Sequence, residues 1–142
     1  MSWILVKGTD MTYEIKPTGK LLLNRWMTKD GTILLSRHRH DCQVHFDIID
    51  QHYVFIDGGL DYIRTSGDMI NLCRYDVDEQ HEEVRENYMW TSFGINGDEP
   101  AKKQAVKDLD SNHIEAIIRT QGHLPEQVLN MFKRELNFRN KE

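Results

Sequence analysis

Short runs rich in apolar and β-favouring residues, bounded by turn-forming residues, predict β-strands in the first half of the chain. The stretches 3–6, 12–16 and 21–26 are such runs, and the turn-forming residues at 29–31 are typical of a hairpin. Residues 32–66 continue this pattern with β-favouring apolar runs between turns at Asp41, at 50–51 and at 57–59. This central stretch therefore predicts a three-stranded antiparallel meander.

The second half changes to helical spacing. Asp78 is positioned to cap a helix that runs to about Trp90, and residues 94–107 form a connector with room for a short strand. Asp110 is the predicted N-cap of a second helix with a buried isoleucine stripe, and Pro125 begins a third. The stripes of the last two helices comprise Ile114, Ile117 and Ile118, and then Val128, Leu129, Phe132 and Leu136.

Strands followed by helices predict an α+β fold. We expect one domain, residues 1–142, with a β-rich part at 1–75 and a helical part at 76–142. Two or three C-terminal helices would cover one face of an antiparallel meander sheet and leave the other face open. An open face with polar side chains is where a ligand or partner is expected.

Composition narrows the function classes. A formal net charge of −5 gives no bulk attraction to nucleic acid or to an anionic membrane, and no stretch approaches transmembrane length. The two cysteines lack CxxC spacing, which favours neither a zinc knuckle nor a disulfide framework. No signal peptide is recognisable at the N-terminus, so we expect a cytoplasmic protein.

The register of the hairpin at Asp41 decides which side chains meet. A two-residue turn at Asp41 and Cys42 places His38 opposite His45 and Ser36 opposite Asp47, because opposed residues of an antiparallel pair share a face. One face would then carry His38, His40, His45 and Asp47. The other would supply the core with Ile33, Leu35, Val44, Phe46 and Ile48. A loop one residue longer instead pairs Arg39 with His45 and Arg37 with Asp47; this alternative stays open.

Two kinds of site are consistent with these residues. Imidazoles at alternate strand positions together with a carboxylate can bind a divalent metal such as zinc; the metal residues would be His38, His40, His45 and Asp47. Alternatively, these four residues are solvated or hydrogen-bonded to one another on the surface.

Arginine forks with histidines and a stacking tyrosine can bind a phosphate-bearing ligand, and the residues proposed for this site are Arg37, His38, Arg39, His40, His45, Asp57, Asp61, Tyr62 and Arg64. The alternative is that Arg37 and Arg39 pair with Asp47, Asp57 or Asp61.

No complete catalytic signature is present, which favours binding over catalysis. P-loop, GxGxxG, HExxH and GxSxG motifs are all missing. The glycine pair at 58–59 fits a tight bend better than close approach to a bound ligand, and no orienting group marks Cys42 as a nucleophile.

Several segments together resemble a family of short tailed-bacteriophage proteins. They are SRHRHD at 36–41, DGGLDYIR at 57–64, YMW at 88–90, KDLDSNHIEAIIRTQ at 107–121 and ELNFR at 135–139. The resemblance extends over about residues 29–139 and transfers no functional residue. It implies the cytoplasm of an infected bacterium, where small phage proteins often bind or disarm a host component.

The leading hypothesis is a phage accessory protein without an obligatory cofactor, which binds a host protein or a phosphate-bearing ligand through the Arg/His face and so antagonises host defence. The alternative is a metal-dependent phosphoesterase or nucleotide-cleaving enzyme that uses the His/Asp cluster. A third hypothesis is sequestration of a nucleotide without cleavage. A homodimer is compatible with all of them.

Overall fold

The computed structural model describes residues 3–6, 10–36, 41–93 and 97–140, with side chains from residue 12 onward. Antiparallel strands dominate the N-terminal half and helices the C-terminal end, which confirms the α+β class. The chain divides into two compact units. We call Gly19–Tyr75 the central unit, and Met1–Thr18 with Asp76–Glu142 the terminal unit. The single-domain organisation stays a prediction.

Within the described ranges the strands are β1 Trp3–Val6, β2 Asp10–Tyr13, β3 Leu21–Met27, β4 Ile33–Ser36, β5 Cys42–Asp47, β6 His52–Gly58, β7 Ile63–Thr65, β8 Ile70–Asn71, β9 Arg74–Tyr75, β10 Met89–Ser92 and β11 Lys102–Ala105. The α-helices are α1 His81–Asn87, α2 Ser111–Thr120 and α3 Glu126–Asn140. Short 3-10 helices occupy Asp78–Gln80 and Val106–Asp108.

The described residues of the central unit form two antiparallel sheets. One has the order β4-β3-β8, with β9 also paired to β3, and the other has the order β5-β6-β7. The predicted turn at 29–31 joins β3 to β4, and the main-chain hydrogen bond from Thr28 N to Thr32 O (2.9 Å) closes it. Leu34, Val54 and Ile56 form the apolar cluster of this unit, with Trp26 and Met69 packed against it.

The predicted meander is only partly correct. Its second hairpin exists, since β5 pairs with β6, but β4 pairs with β3, and no ladder joins β4 to β5 in the part of the chain that is described. Cys42 is not a turn residue because it begins β5 opposite Asp57. Ser36 accordingly faces Asn24 rather than Asp47. The predicted opposition of His38 and His45 involves residues 37–40, which lie outside the described residues.

The predicted core face of this hairpin is inverted. Four side chains expected in the core are exposed, namely Ile33 (50%), Val44 (62%), Phe46 (43%) and Ile48 (66%). Leu35 is half-buried, whereas its neighbour Leu34 is buried. Register explains the difference: Val44 lies opposite Phe55, so the buried side chains of β6, Val54 and Ile56, share a face with the polar residues of β5.

Where the terminal unit is described, it has two strand pairs and the helices α1, α2 and α3. β1 pairs with β2 and β10 with β11, both antiparallel. The Asp110 side chain accepts a hydrogen bond from Asn112 N and caps α2, as predicted, and the isoleucine stripe of α2 is buried. The ring of Phe132 in α3 meets the ring of Trp90 in β10 edge to face, with centroids 5.2 Å apart.

The helix predicted from Asp78 to Trp90 is shorter and begins differently. Asp78 lies within a 3-10 helix, whose N-cap is Val77, and α1 ends at Asn87. Tyr88 is extended, and Trp90 then lies in β10 opposite Gln104. Strand pairing therefore overrides the helical pattern at this end. Among the described helices, none has both the length and the apolar character needed to cross a membrane.

Candidate functional site

The most unusual surface of the central unit is the outer face of the β5–β6 hairpin, which we define as Val44, Phe46, Tyr53 and Phe55. The pairs Val44 with Phe55 and Phe46 with Tyr53 stand directly opposite each other and hence on one side. The Phe46 and Tyr53 rings make an edge-to-face contact with centroids 5.0 Å apart. Tyr53 is 72% exposed, and Phe55 is half-buried.

The apolar surface continues into the turn that joins the two strands. Ile48 and Ile49 are 66% and 64% exposed. Gln51 completes this turn in the left-handed region with φ of 57°. Adjacent strands thus present contiguous apolar side chains to solvent, which is typical of an interaction site.

Polar residues of β5 occupy the opposite face and are bound by other protein groups. His45 Nε2 lies 2.8 Å from Asp30 Oδ2, in the β3–β4 turn. Hydrogen bonds from Thr28 and from His45 hold the pKa of Asp30 well below its usual range. The contact between His45 and Asp30 thereby joins strand β5 to the β3–β4 turn within the central unit.

Asp47 is fully buried and organises the β5–β6 turn. Its Oδ1 accepts from Ile49 N (2.9 Å) and Asp50 N (3.3 Å), and its Oδ2 accepts from Lys29 N (2.9 Å). Three main-chain donors satisfy a buried carboxylate, which would otherwise be costly to desolvate. The residue therefore acts as a turn anchor.

The metal-site hypothesis combines described and undescribed residues. His38 and His40 lie outside the described residues, while His45 and Asp47 already have the protein partners given above. Within the ranges that the structure describes, no group of three or more His, Cys, Asp or Glu side chains is arranged to hold a metal ion. The four-residue metal site stays a prediction.

The DGGLDYIR segment forms a close bend and an ion pair. Gly58 has φ of 95°, and a Cβ there would overlap the main-chain oxygen of Tyr62. Asp57 is buried opposite Arg64, whose Nε and Nη2 both donate to Asp57 Oδ2. This hydrogen bond raises the pKa of Arg64. Arg64, which was predicted to bind a ligand, is thus paired with Asp57.

The structure describes only some of the remaining predicted residues. Arg37, His38, Arg39 and His40 lie outside the described residues, and they immediately precede Asp41 and β5 in sequence. Asp61 and Tyr62 are exposed after the bend. Cys42 is an exposed free thiol. The structure therefore brings together Asp57 with Arg64, and it separates His45 from the outer face.

Sequence reasoning did not foresee a buried ionic cluster in the terminal unit. Glu135 of α3 is fully buried and accepts from His81 Nε2 (3.0 Å), from Arg85 Nε and Nη2 (2.8 and 2.9 Å), and from Arg139 Nε (2.7 Å). Burial alone raises the pKa of Glu135, but the bonds from His81, Arg85 and Arg139 outweigh it and lower the pKa to about 2.

A second buried carboxylate, that of Asp76, is bound by two side chains of α3. Asp76 accepts from Thr18 N (2.9 Å), Asn130 Nδ2 (2.9 Å) and Arg134 Nη1 (2.6 Å), and Arg134 Nε donates to Asp78 (2.7 Å). Burial raises the pKa of Asp76, but these bonds outweigh it, and its pKa is lowered. The only signal in the sequence is the i,i+4 pair of Glu135 and Arg139, which by itself indicates a surface ion pair.

Comparison of the chain with known protein families, with characterised proteins and with solved structures finds no match.

Proposed function

We propose that the chain is a binding protein that docks a partner protein on the outer face of the β5–β6 hairpin. The observation that carries this proposal is the exposure of Val44 (62%), Phe46 (43%) and Tyr53 (72%) on one side of paired strands. Burying such side chains at an interface stabilises the complex by removing apolar area from water. Aromatic residues near the centre of an interface commonly dominate its affinity.

Charged residues that are close to the outer face along the chain suggest the character of the partner. The Arg37-His38-Arg39-His40 segment precedes Asp41 and β5 in sequence, and Arg64 pairs with Asp57 opposite the first residue of β5. We infer a partner whose contact surface is apolar at its centre and carries carboxylates at its rim. Complementary rim charges speed association and select the partner.

The proposed setting is the cytoplasm of a phage-infected bacterium, and the proposed partner is a host protein that the chain disarms. The resemblance of SRHRHD and DGGLDYIR to tailed-phage proteins supports this setting. Binding without catalysis agrees with the protein partners of His45 and Asp47, since both side chains already serve the fold.

The test uses a photocrosslinking amino acid at exposed positions. Phe46 and Tyr53 are each replaced by p-benzoylphenylalanine, with Phe93 as the matched control because it is a 51% exposed aromatic of the terminal unit. In bacteria the first two variants should give the same crosslinked host protein, and Phe93 should not. Adducts shared with Phe93, or only between two copies of the chain, would overturn the host-partner proposal.

Binding to the identified protein is then measured with purified components. The Phe46→Ser, Tyr53→Ser double variant should weaken binding at least about 30-fold, the loss expected for central aromatic residues. Its thermal unfolding should change little because both side chains are exposed in the free protein. Replacement of Arg37, His38, Arg39 and His40 by serine should mainly slow association. Unchanged affinity of the double variant would reject the outer face as the docking site.

A further inference from the structure

Strand β5 lies at the end of its sheet and is paired on one side. The strand order is β5-β6-β7, and among the described residues no strand pairs with β5 on the side away from β6. The side chains of Cys42, Val44 and Phe46 are all exposed. A terminal strand presents unpaired main-chain N–H and C=O groups, which can pair with a strand of another molecule.

The hydrogen bonds of β6 identify the residues of β5 that present these groups. Ser66 N donates to Phe55 O (3.1 Å), and Phe55 N donates to Ser66 Oγ (3.0 Å), so the main-chain groups of Phe55 point away from β5. Val44 lies opposite Phe55. Because neither member of such a pair bonds the other, Val44 directs its own N–H and C=O away from β6. By alternation along the strand, Cys42 and Phe46 do the same.

The sequence of β5 lacks the features that usually prevent a terminal strand from pairing. Natural proteins commonly place charged residues, prolines or β-bulges at the edge of a sheet. Residues 42–46, CQVHF, contain no proline, lysine, arginine or acidic residue. The register between β5 and β6 is continuous from Cys42 to Asp47, without a bulge. The edge of β5 is therefore suited to the addition of another strand.

A second copy of the chain is complementary to this edge. When two β5 strands pair antiparallel with Val44 opposite Val44, Cys42 faces Phe46 of the other copy and Gln43 faces His45. No like charges oppose each other over residues 42–46, which is the condition that a symmetric contact must meet. Each pair of outward-directed residues exchanges two main-chain hydrogen bonds. The pairing therefore satisfies the outward groups of Cys42, Val44 and Phe46 in both copies.

A register shifted by one residue in one strand is less favourable. It would place His45 opposite His45 and Cys42 opposite Ile48 of the other copy. Ile48 N already donates to Asp30 Oδ2 (3.3 Å), so Cys42 would lose a main-chain partner. Two opposed imidazoles also repel each other when they are protonated. The register centred on Val44 is the better match.

We propose that two copies of the chain associate through antiparallel pairing of their β5 strands, centred on Val44. The β5-β6-β7 sheets of the two copies then form one continuous sheet. Opposed residues of an antiparallel pair share a face, so the two outer faces lie side by side. Pairing over residues 42–46 involves far fewer residues than the about 20 to 30 per side of a standard interface, so the dimer should be weak. This association does not depend on the host partner.

Analytical ultracentrifugation of the full chain over a concentration series measures the association. We expect a monomer–dimer equilibrium with a Kd of about 10 to 100 μM. Val44→Pro removes an outward N–H, a change that an edge strand tolerates, and should weaken the dimer at least about tenfold. The control Val44→Ala keeps the N–H and should weaken it less than about threefold. Circular dichroism checks that both variants are folded. Equal losses in the two variants, or a natural chain that is monomeric at about 1 mM, would overturn the proposal.

A disulfide trap tests the register without a proline. In a Cys42→Ser background, Val44→Cys brings two thiols together in a pair whose Cα atoms are about 5.5 Å apart, within the range for a disulfide. Mild oxidation should crosslink this variant at least about tenfold faster than the control Tyr53→Cys in the same background. Tyr53 is 72% exposed on the same face but lies in β6, away from the paired edge. Equal crosslinking rates would overturn the proposed dimer and leave the host-partner proposal unaffected.

Discussion

Replacing Glu135 by glutamine should destabilise the terminal unit strongly at neutral pH. The carboxylate is fully buried and receives hydrogen bonds from His81, Arg85 and Arg139. The difference between its ordinary pKa of 4.5 and a folded-state pKa of about 2 corresponds to about 3 kcal/mol of stability at pH 7. Loss of one partner from a buried ion pair costs a similar amount, about 3 to 5 kcal/mol.

The pH dependence has a defined sign. Because folding lowers the pKa of Glu135, the carboxylate contributes its full stability above pH 4.5 and loses it as the pH falls towards 2. At pH 3 the contribution should be about half its value at pH 7, since the unfolded chain is then protonated and the folded chain is not. Glutamine cannot ionise, so the difference between the two proteins should shrink on acidification.

Urea unfolding followed by helical circular dichroism measures this effect. With a urea slope of about 1.5 to 3 kcal/mol per M, the Glu135→Gln midpoint should fall by about 1 to 2 M at pH 7. Glu115→Gln on the exposed side of α2 removes the same charge and should change the midpoint little. Equal midpoints for the two variants at pH 7, or a Glu135→Gln deficit that is as large at pH 3, would refute the reasoning.

Two further predictions concern the backbone. Gly58→Ala should lower the free energy of unfolding by more than about 2 kcal/mol, because the new Cβ would overlap the Tyr62 oxygen at a positive φ. Gly19→Ala, also at positive φ but with open space around it, should cost only about 1 kcal/mol in the same thermal unfolding assay, and equal losses would contradict the steric explanation. Asp110→Ala should cost about 1 kcal/mol by removing the α2 cap. In urea unfolding, Asn112→Ala is its control because Asn112 supplies only a main-chain donor; a larger loss for the control would argue against the cap.

Local sequence signals were sufficient for most of the secondary structure. The strand–turn–strand at 21–36 and the capped α2 helix were predictable because their hydrogen bonds join residues close in sequence. The isoleucine stripe of α2 likewise identified its buried side. Such features depend on a few neighbouring residues, so no distant contact is needed to recognise them.

Which face of β5 is buried was decided only by tertiary structure. Val44 and Phe46 have the alternation of a core-facing strand, yet Val54 and Ile56 of β6 supply the core on the other side. Asp30 and the main chain of the turns bind His45 and Asp47, which allows those polar side chains to face inward. A period of two identifies the two faces of a strand but not the one that faces the core.

The sequence pattern also could not predict which charged residues of the terminal unit are buried. Glu135 and Arg134 lie in a helix beside apolar positions, and their partners His81, Arg85 and Asp76 are about 50 to 58 residues distant along the chain. The amino-acid sequence by itself determined the positions of most strands and of the last two helices. Only the folded chain decided which polar groups could be buried, because burial of a charge depends on partners that the tertiary structure brings together.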